Sequence, residues 1–237
     1  MISAVTHDLR NPLGAILAYA ELLEAAELPE KSRRQIQLIH RAAARMENML
    51  QNLSDLGKLD SGRFALQAAP LALRPLVTEL ENEFAPLATR EAVVLRLEIN
   101  AKLPEVLADS ERLRQVLRVF LLNAIQHSPP GSPVTLKLER ESNQVVFTVR
   151  DVGPGIAPED VASAFGDVEA SAARPGRGLS MFVARRIVEA HSGRVSVETG
   201  GGGTAVTFTI PCAMPQATDA ETSTRERRTY GRPSETL

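Results

Sequence analysis

Apolar residues recur at spacings of three and four along the first sixty positions of the chain. The segment from 1 to 26 carries Val5, Leu9, Leu13, Ile16, Ala20 and Leu23. The segment from 30 to 60 carries Ile36, Ile39, Ala43, Met46, Leu50 and Leu53. This spacing places the apolar side chains on one face of a helix. The pattern therefore predicts two amphipathic helices joined by a short connection, which together form an antiparallel hairpin.

The apolar faces of these helices are wider than one hairpin can bury. Two hairpins paired into a four-helix bundle would close the core, so the pattern favours a homodimer. The alternative is a monomeric hairpin that packs on its own C-terminal domain. Gly57 and Gly62 predict a hinge where the second helix ends.

After about residue 70, segments in which apolar residues recur at every second position appear between segments with helical spacing. A helix is predicted at 74–90, and Val93, Leu95, Leu97 and Ile99 then alternate with polar or exposed positions as in a half-buried strand. The same alternation recurs at 134–138, 145–149, 195–197 and 206–210, with further helices predicted at 109–128 and 178–192. Five strands with one polar face and three helices predict an α/β two-layer sandwich, so the whole chain is expected to be α+β. The predicted domains are the hairpin at 1–63, the sandwich at 70–212 and a disordered polar tail at 213–237.

The amino-acid composition limits which classes of partner and which cellular compartment are expected for the chain. The formal net charge is -2 and tryptophan is absent, so neither a basic patch nor a base-stacking surface for nucleic acid is expected. Cys212 is the only cysteine, which excludes a disulfide framework and fits a reducing compartment. No apolar run reaches the ~20 residues that span a bilayer. We therefore expect a cytoplasmic location and no membrane contact from this chain itself.

The first candidate for chemistry is the octet Thr6 to Leu13, which reads Thr-His-Asp-Leu-Arg-Asn-Pro-Leu. On a helix His7 and Asn11 lie at i and i+4 on one face, well round from the apolar stripe, so His7 is expected to face solvent. Pro12 removes a backbone donor and predicts an interruption of the helix just after the histidine. The octet by itself is equally compatible with a surface histidine that has no function.

The second domain carries four further motifs. Asn123 lies within a leucine-rich predicted helix. Its side chain is either a hydrogen-bonded amide of the core or a ligand for a Mg²⁺ ion bound between phosphates. A predicted strand is followed by the segment Asp151-Val-Gly153-Pro-Gly155-Ile156. This segment is either a common turn or a site in which the Asp151 carboxylate binds a purine amino group. Gly176-Arg-Gly178-Leu179 opens a helix, where backbone N–H groups can bind an anion. Gly203-Thr204 precedes the last strand.

These motifs together resemble the sensor histidine kinases. The octet fits the family's H-box, H-[DE]-L-[RK]-[TN]-P-L, and the four later motifs resemble its N, G1, G2 and G3 boxes in the same order. The resemblance covers residues 1 to about 211. It implies a protein-histidine kinase that autophosphorylates His7 and transfers the phosphoryl group to an aspartate in the receiver domain of a response regulator, with phosphatase activity toward the same partner. It also implies a sensor region upstream, so the sequence is expected to be a fragment of a longer kinase.

The resemblance also implies roles for individual residues. His7 would be the phosphoacceptor, Asp8 its general base, and Asn11 the residue that orients water for dephosphorylation of the partner. In the ATP site Asp151 would bind the adenine amino group with Thr204 nearby, and Asn123 would hold Mg²⁺. The remaining expected contacts to ATP are His127, Gly153, Gly155, Ile156, Gly176, Gly178 and Leu179.

The chain departs from the family pattern at four positions. Val119 replaces a second polar ligand, Gln126 replaces a lysine, Val168 replaces a phenylalanine and Ser180 replaces the third glycine of the G2 box. These departures keep an alternative open, a phosphotransfer or scaffolding protein that binds a response regulator but has a degraded nucleotide site. A gyrase-like ATPase would leave the H-box without an explanation.

Overall fold

The computed structural model describes residues 2–157, Val161, Phe165 and 179–213. Two long helices, α1 (Ile2–Glu24) and α2 (Glu30–Asp60), form the predicted hairpin. The helix α1 continues through Pro12, so the predicted interruption there is wrong. Gly57 lies inside α2, and only Gly62, with a φ of 65°, follows the end of the helix. A hinge at Gly57 is therefore not supported.

The hairpin buries only part of its apolar surface. Its core consists of Leu13, Ala43 and Leu50, with Leu17 packed against them. Other residues of the same stripes are about half exposed, namely Leu9, Ile16, Leu23, Ile39 and Met46. These side chains leave a large apolar face uncovered on the surface of the hairpin.

The second domain begins with β1 (Ala69–Leu71) and α3 (Leu73–Arg90). The elements that follow are β2 (Val94–Ile99), β3 (Val106–Ala108), α4 (Ser110–His127), β4 (Pro133–Glu141), β5 (Gln144–Arg150), α5 (Leu179–Ala190), β6 (Val195–Gly200) and β7 (Gly203–Pro211). Five strands form one sheet in the order β2-β4-β5-β7-β6, with β2 parallel to β4 and the other pairs antiparallel.

The alternation of the strands separates the two faces of this sheet. Val134, Leu136 and Leu138 of β4 are fully buried, as are Val145 and Phe147 of β5. These residues form one core with α3, α4 and α5. Their neighbours in sequence, such as Thr135 and Thr148, are only half-buried. The predicted α/β two-layer sandwich is therefore confirmed.

Two short strands were not predicted. β1 and β3 pair antiparallel as a separate two-stranded sheet, and Cys212 extends β7 to an isolated bridge with Val106. Each strand has only three residues, and none of the six is polar, so the sequence shows no alternation of polar and apolar positions there. The N–H of Ala213 still donates to Glu105 O at 2.8 Å. The rest of the predicted tail lies outside the described residues.

The hairpin and the sheet domain meet at the C-terminal end of α2. Leu56 belongs to the core of the sheet domain, and Phe64, in the segment after α2, packs against the same core. Within the described residues, no helix combines the length and apolarity that crossing a bilayer requires.

Candidate functional site

The pairing of β5 with β7 brings Asp151 and Thr204 together just beyond the last paired residues, Arg150 and Ala205. The N–H of Asp151 donates to Thr204 O at 2.9 Å. Asp151 Oδ1 accepts from the N–H groups of Thr204 at 3.1 Å and Gly153 at 2.8 Å. Only 8% of Asp151 is exposed. Two main-chain donors thus fix the carboxylate through Oδ1, and Oδ2 takes part in neither bond.

Glycine is required around this carboxylate because three backbone segments approach one another closely. A Cβ at Gly203, whose φ is 115°, would lie 2.0 Å from Asp151 O, and one at Gly153 would lie 2.5 Å from His127 O. Gly155 has a φ of 80°, and its Cβ would lie 2.5 Å from Gly200 O. Real Cβ atoms do not make such contacts, so the sequence pattern of these glycines has a steric cause.

Thr199 fixes the loop that follows Asp151, and it was not identified in the sequence. Its Oγ1 accepts from Ile156 N–H at 2.6 Å and donates to Ile156 O at 3.1 Å. Thr199 is on the same face of β6 as Val195 and Val197. The sequence did contain a signal for this residue. Thr199 places a hydroxyl at a position of the alternating strand where apolar residues are expected, and a hydroxyl on that face needs a hydrogen-bond partner.

Asn123 lies half-buried on α4, where this helix meets α5. Its Nδ2 donates to Met181 Sδ at 2.9 Å, and its backbone O contacts Nδ1 of the exposed His127 at 2.8 Å. The hydrogen bond to Met181 supports the interpretation of Asn123 as a core amide, as far as its Nδ2 is concerned. Oδ1 of Asn123 is not part of that bond. Met181 is a second contact that sequence reasoning missed.

The positions that depart from the family pattern have separate environments. Val119 packs against the core and Gln126 is exposed on α4. Ser180, in the first turn of α5, accepts a hydrogen bond at its Oγ from Asn52 Nδ2 of the hairpin, at 2.8 Å. Val168 lies outside the described residues.

The structure brings together only part of the predicted site. Asp151, Gly153 and Thr204 form one cluster, which His127 O joins through Gly153. Leu179 begins α5 and packs against the core, whereas Gly176 and Gly178 lie outside the described residues.

The predicted phosphoacceptor turn lies on the other domain. His7, Asp8 and Asn11 are on α1, and Asn11 is exposed. The side chains of His7 and Asp8 fall outside the described part of the chain, so the expected exposure of His7 stays a prediction. The candidate site is therefore divided between two domains of the chain.

Two family models match the chain, each on one of these domains. Residues 1–62 match the His Kinase A (phospho-acceptor) domain, and residues 108–214 match the histidine kinase-, DNA gyrase B-, and HSP90-like ATPase. The chain belongs to the histidine kinases. The order of the two matches makes it a kinase core, with the phosphoacceptor domain followed by the ATPase domain.

Curated relatives of this kinase core include two named bacterial sensor kinases, CikA and SasA. The chain is 30% identical over 221 residues to the circadian input-output histidine kinase CikA of Synechococcus elongatus, a match that covers 89% of this chain and 29% of CikA. It is 30% identical over 223 residues to the adaptive-response sensory kinase SasA of Microcystis aeruginosa, covering 89% of this chain and 58% of SasA. The kinase core thus spans less than two thirds of the length of either relative.

Solved structures with the same fold include full-length ShkA in complex with AMPPNP. That match has a TM-score of 0.71 and 26% identity, and it covers 90% of the kinase core and 46% of the ShkA chain. The histidine kinase AdeS of Acinetobacter baumannii matches with a TM-score of 0.63 and 21% identity, covering 88% of this chain and 98% of the AdeS chain. The likeness to AdeS concerns the fold alone.

Proposed function

We propose that the protein is an ATP-dependent kinase that phosphorylates its own His7 and passes the phosphoryl group to an aspartate of a response regulator. The observation that carries this proposal is the Asp151 carboxylate, held by two main-chain donors in a cluster where glycines let the backbone approach closely. The same chain carries the H-box octet on α1. The AMPPNP bound by the similar ShkA supports ATP as the nucleotide.

The adenine ring is assigned to the Asp151 end of the cluster. Because Oδ1 is occupied by Gly153 and Thr204, Oδ2 is the oxygen that would accept from the adenine amino group. An amino group needs an acceptor, and an ionised carboxylate offers only acceptors. The bonds from Thr199 to Ile156 would hold the loop beside the ring in place.

The proposed phosphoryl transfer assigns roles to two residues of the octet, His7 and Asp8. A ring nitrogen of His7 attacks the γ-phosphorus of ATP, a nitrogen–phosphorus bond forms, and the bond from the γ-phosphorus to the bridging oxygen breaks to release ADP. Asp8 takes the proton that the imidazole loses, as a general base adjacent to its nucleophile.

A magnesium ion fits the chemistry of Asn123. Among the described residues, no group of three or more histidine, cysteine or acidic side chains could hold a metal. Mg²⁺ commonly takes one or two protein oxygens and fills its remaining positions with phosphate and water oxygens. Asn123 Oδ1 would be the protein ligand, and the ion would supply positive charge beside the triphosphate.

The uncovered face of the hairpin is assigned to a second copy of the chain. It includes an apolar groove lined by Ala15, Ile16, Tyr19, Ala20, Leu23, Ile36 and Ile39. Burial of such a face against an identical hairpin would give the four-helix bundle that the heptad spacing predicts. We therefore propose a homodimer.

Asn11 is proposed to serve dephosphorylation of the partner. An amide can orient a water molecule toward an aspartyl phosphate without the repulsion that a carboxylate would add. Asn11 is exposed one turn from His7, where a docked partner would meet it. Asn11→Ala should leave autophosphorylation intact and slow the loss of phosphate from the partner. If the partner loses phosphate equally fast with the variant and with the unaltered chain, the amide serves only the local backbone.

Incubation with γ-labelled ATP and Mg²⁺ tests the proposed kinase activity. We expect label on the protein that is lost in acid and stable in base, as a phosphoramidate bond requires. A scaffolding protein with a degraded nucleotide site would bind a response regulator without acquiring label. The absence of acid-labile label at saturating ATP would therefore overturn the kinase and favour that alternative.

A further inference from the structure

Met181 and Asn123 lie on two neighbouring helices of the ATPase domain. Asn123 is half-buried near the end of α4, and Met181 is in the first turn of α5, where only 5% of it is exposed. Asn123 Nδ2 donates to Met181 Sδ at 2.9 Å. A thioether sulfur therefore contacts the one amide side chain that the proposed function gives to the metal ion.

His191 fixes the other end of this helix pair. Its Nε2 accepts from the N–H of Asp109, directly before α4, at 3.0 Å. Its Nδ1 lies 2.8 Å from the backbone O of Ile187 in α5, and Nδ1 carries the ring hydrogen because a carbonyl can only accept. The start of α4 thus lies against the end of α5, and the two helices run antiparallel.

Both helices also contact the hairpin helix α2. Arg112 Nη1, in the first turn of α4, donates to the fully buried Asp55 at 2.9 Å. Ser180 Oγ, in the first turn of α5, accepts from Asn52 Nδ2 at 2.8 Å. With the shared apolar core between them, α4 and α5 have fixed positions relative to each other. The fold therefore sets the distance from the sulfur to the amide.

Two residues one turn away on α4 do not compete for the side chain of Asn123. Val119, one turn earlier, packs against the core. His127, one turn later, donates from Nδ1 to the backbone O of Asn123 at 2.8 Å, so this hydrogen is committed to the main chain. Met181 is the hydrogen-bond partner that the described part of the chain gives to the side chain of Asn123.

The sulfur determines which way the amide of Asn123 is turned. A thioether has lone pairs but no hydrogen to donate, so only the nitrogen of the amide can face it. Oδ1 then points away from Met181. Mg²⁺ binds oxygen ligands, and an NH₂ group in the place of that oxygen would offer the ion only hydrogens.

We propose that Met181 is a positioning residue of the ATP site, whose sulfur holds the Asn123 amide in the orientation that presents Oδ1 to Mg²⁺. This inference rests on the proposed function, in which Asn123 is the protein ligand of the ion. Because Val119 is apolar, a wrongly turned amide would not be compensated from that position.

Replacement of the sulfur by an apolar group should release the amide. In Met181→Leu, which is close in volume and usually well tolerated in a core, the nitrogen would face carbon and lack a partner. The amide then turns to other orientations, and roughly three- to tenfold fewer molecules present Oδ1. The apparent affinity for Mg²⁺ falls with the fraction of molecules that can bind it.

The first measurement observes the amide in the full chain without nucleotide or metal. Proton–nitrogen correlation NMR records the side-chain NH₂ group of Asn123, which is assigned by its loss in Asn123→Asp. The unaltered chain should show a nuclear Overhauser effect between this group and the methyl group of Met181. Met181→Leu should move the NH₂ signals toward those of a solvated asparagine.

The second measurement is the ratio of the AMPPNP affinity in Mg²⁺ to that in a chelator, from calorimetric titration. Met181→Leu should lower this ratio roughly three- to tenfold. The affinity in the chelator should not change, because the contact assigned to Asp151 remains intact. A loss of core packing would instead weaken both affinities.

Ile187→Leu is the matched control. Ile187 is a fully buried apolar residue further along α5, so this variant also places leucine in the core of the same helix. It should change neither the NH₂ signals of Asn123 nor the ratio of affinities. Thermal unfolding shows that each variant remains folded.

Asn123→Asp separates orientation from packing. A carboxylate has oxygen at both positions, so it presents an oxygen to the ion whichever way it is turned. In this background Met181→Leu should lower the ratio of affinities little or not at all. An equal loss in the Asn123 and Asp backgrounds would show that Met181 acts through packing, and it would overturn the proposal.

Two further results would also overturn it. Either unchanged NH₂ signals or an unchanged ratio of affinities in a folded Met181→Leu variant would remove the role of the sulfur, while the kinase assay still succeeds. If Mg²⁺ does not strengthen AMPPNP binding to the unaltered chain, the proposed function itself loses its metal site, and the role of Met181 falls with it.

Discussion

The ATPase domain and the hairpin differ in how completely each closes its own core. In the ATPase domain the rings of Phe147 and Phe208 stack at 4.6 Å, Phe120 lies 5.6 Å from Phe208, and all of them are at most 1% exposed. In the hairpin, Met46 and Ile39 are more than half exposed on the stripe that contains the buried Leu50. The core of the ATPase domain is thus closed within one chain, whereas the hairpin leaves an apolar face exposed, which the proposed homodimer would bury.

This contrast corresponds to a difference in function. The proposed nucleotide site is built from strands and glycines whose positions depend on the closed core of the ATPase domain. The proposed phosphoacceptor lies on a helix with much exposed surface, to which the proposed partners, a second copy of the chain and a response regulator, would need access.

Of the variants proposed here, Gly203→Ala should have the largest effect, because it disturbs the closed domain at a close backbone contact beside Asp151. The new Cβ would meet Asp151 O at 2.0 Å in a left-handed conformation. We expect a loss of about 3 kcal/mol or more in the free energy of unfolding, from steric and backbone strain together. Chemical denaturation measures that loss, and nucleotide affinity should fall with it.

Gly201→Ala, two residues earlier in the same turn, is the control, since its Cβ would meet nothing within 4 Å. Equal stability of the two variants would contradict the packing described around Asp151.

Met46→Glu should break association of the hairpins and leave the ATPase domain intact. Met46 is 56% exposed in a single chain but belongs to the heptad seam of the proposed bundle. An unpaired charge buried there should weaken the dimer by at least about a hundredfold. Sedimentation measures this, with Asn48→Glu on the polar side of α2 as the control. An unchanged association constant would argue against the four-helix bundle.

Asp151→Asn should weaken nucleotide binding without unfolding the domain. The amide can still accept at one oxygen, but it places a donor where the adenine amino group needs an acceptor. The expected loss is about 1 to 3 kcal/mol of binding free energy, the cost of an unsatisfied polar contact. Calorimetric titration with a nucleotide analogue measures it, and Glu139→Gln, an exposed carboxylate on the same sheet, should bind normally.

Thr199→Val should have the smallest effect. It removes two hydrogen bonds to Ile156 and keeps the shape of the side chain. We expect roughly a three- to tenfold loss of nucleotide affinity, about one net hydrogen bond, with little change in the unfolding temperature. Thr207→Val, which removes a hydroxyl from the opposite face of the sheet, is the control. If both variants bind equally well, the Ile156 loop does not need Thr199.

The sequence allowed prediction of those features that depend on local periodicity. The strand that contains Phe147 and the helix that contains Asn123 follow from spacings of two and of three to four, and the Asp151 turn follows from its glycines. Asp55 and Arg112 gave no comparable signal, because they are 57 residues apart and each lies on the polar side of an amphipathic helix. A buried ion pair of this kind depends on how two domains dock, which no local pattern encodes.

Helix ends and short strands were the other features missed, also for physical reasons. Gly57 suggested a break, yet α2 continues to Asp60 because packing of Leu56 into the ATPase core outweighs the low helix propensity of one glycine. Pro12 likewise costs α1 one backbone bond without ending it. Strand β1 is too short to show an alternating pattern. Its conformation depends on pairing with β3, in which Leu71 pairs with Val106 and Ala69 pairs with Ala108, residues that are distant in the sequence.

The most direct test of the account is where the phosphoryl group is found after incubation with labelled ATP and Mg²⁺. His7→Gln and His40→Gln each remove one imidazole from the hairpin, and His40 lies on α2 beside Glu24. We predict that His7→Gln binds a nucleotide analogue normally but acquires no acid-labile label, whereas His40→Gln is labelled as fully as the unaltered chain. Acid-labile label that persists in His7→Gln would contradict the assignment of the phosphoacceptor.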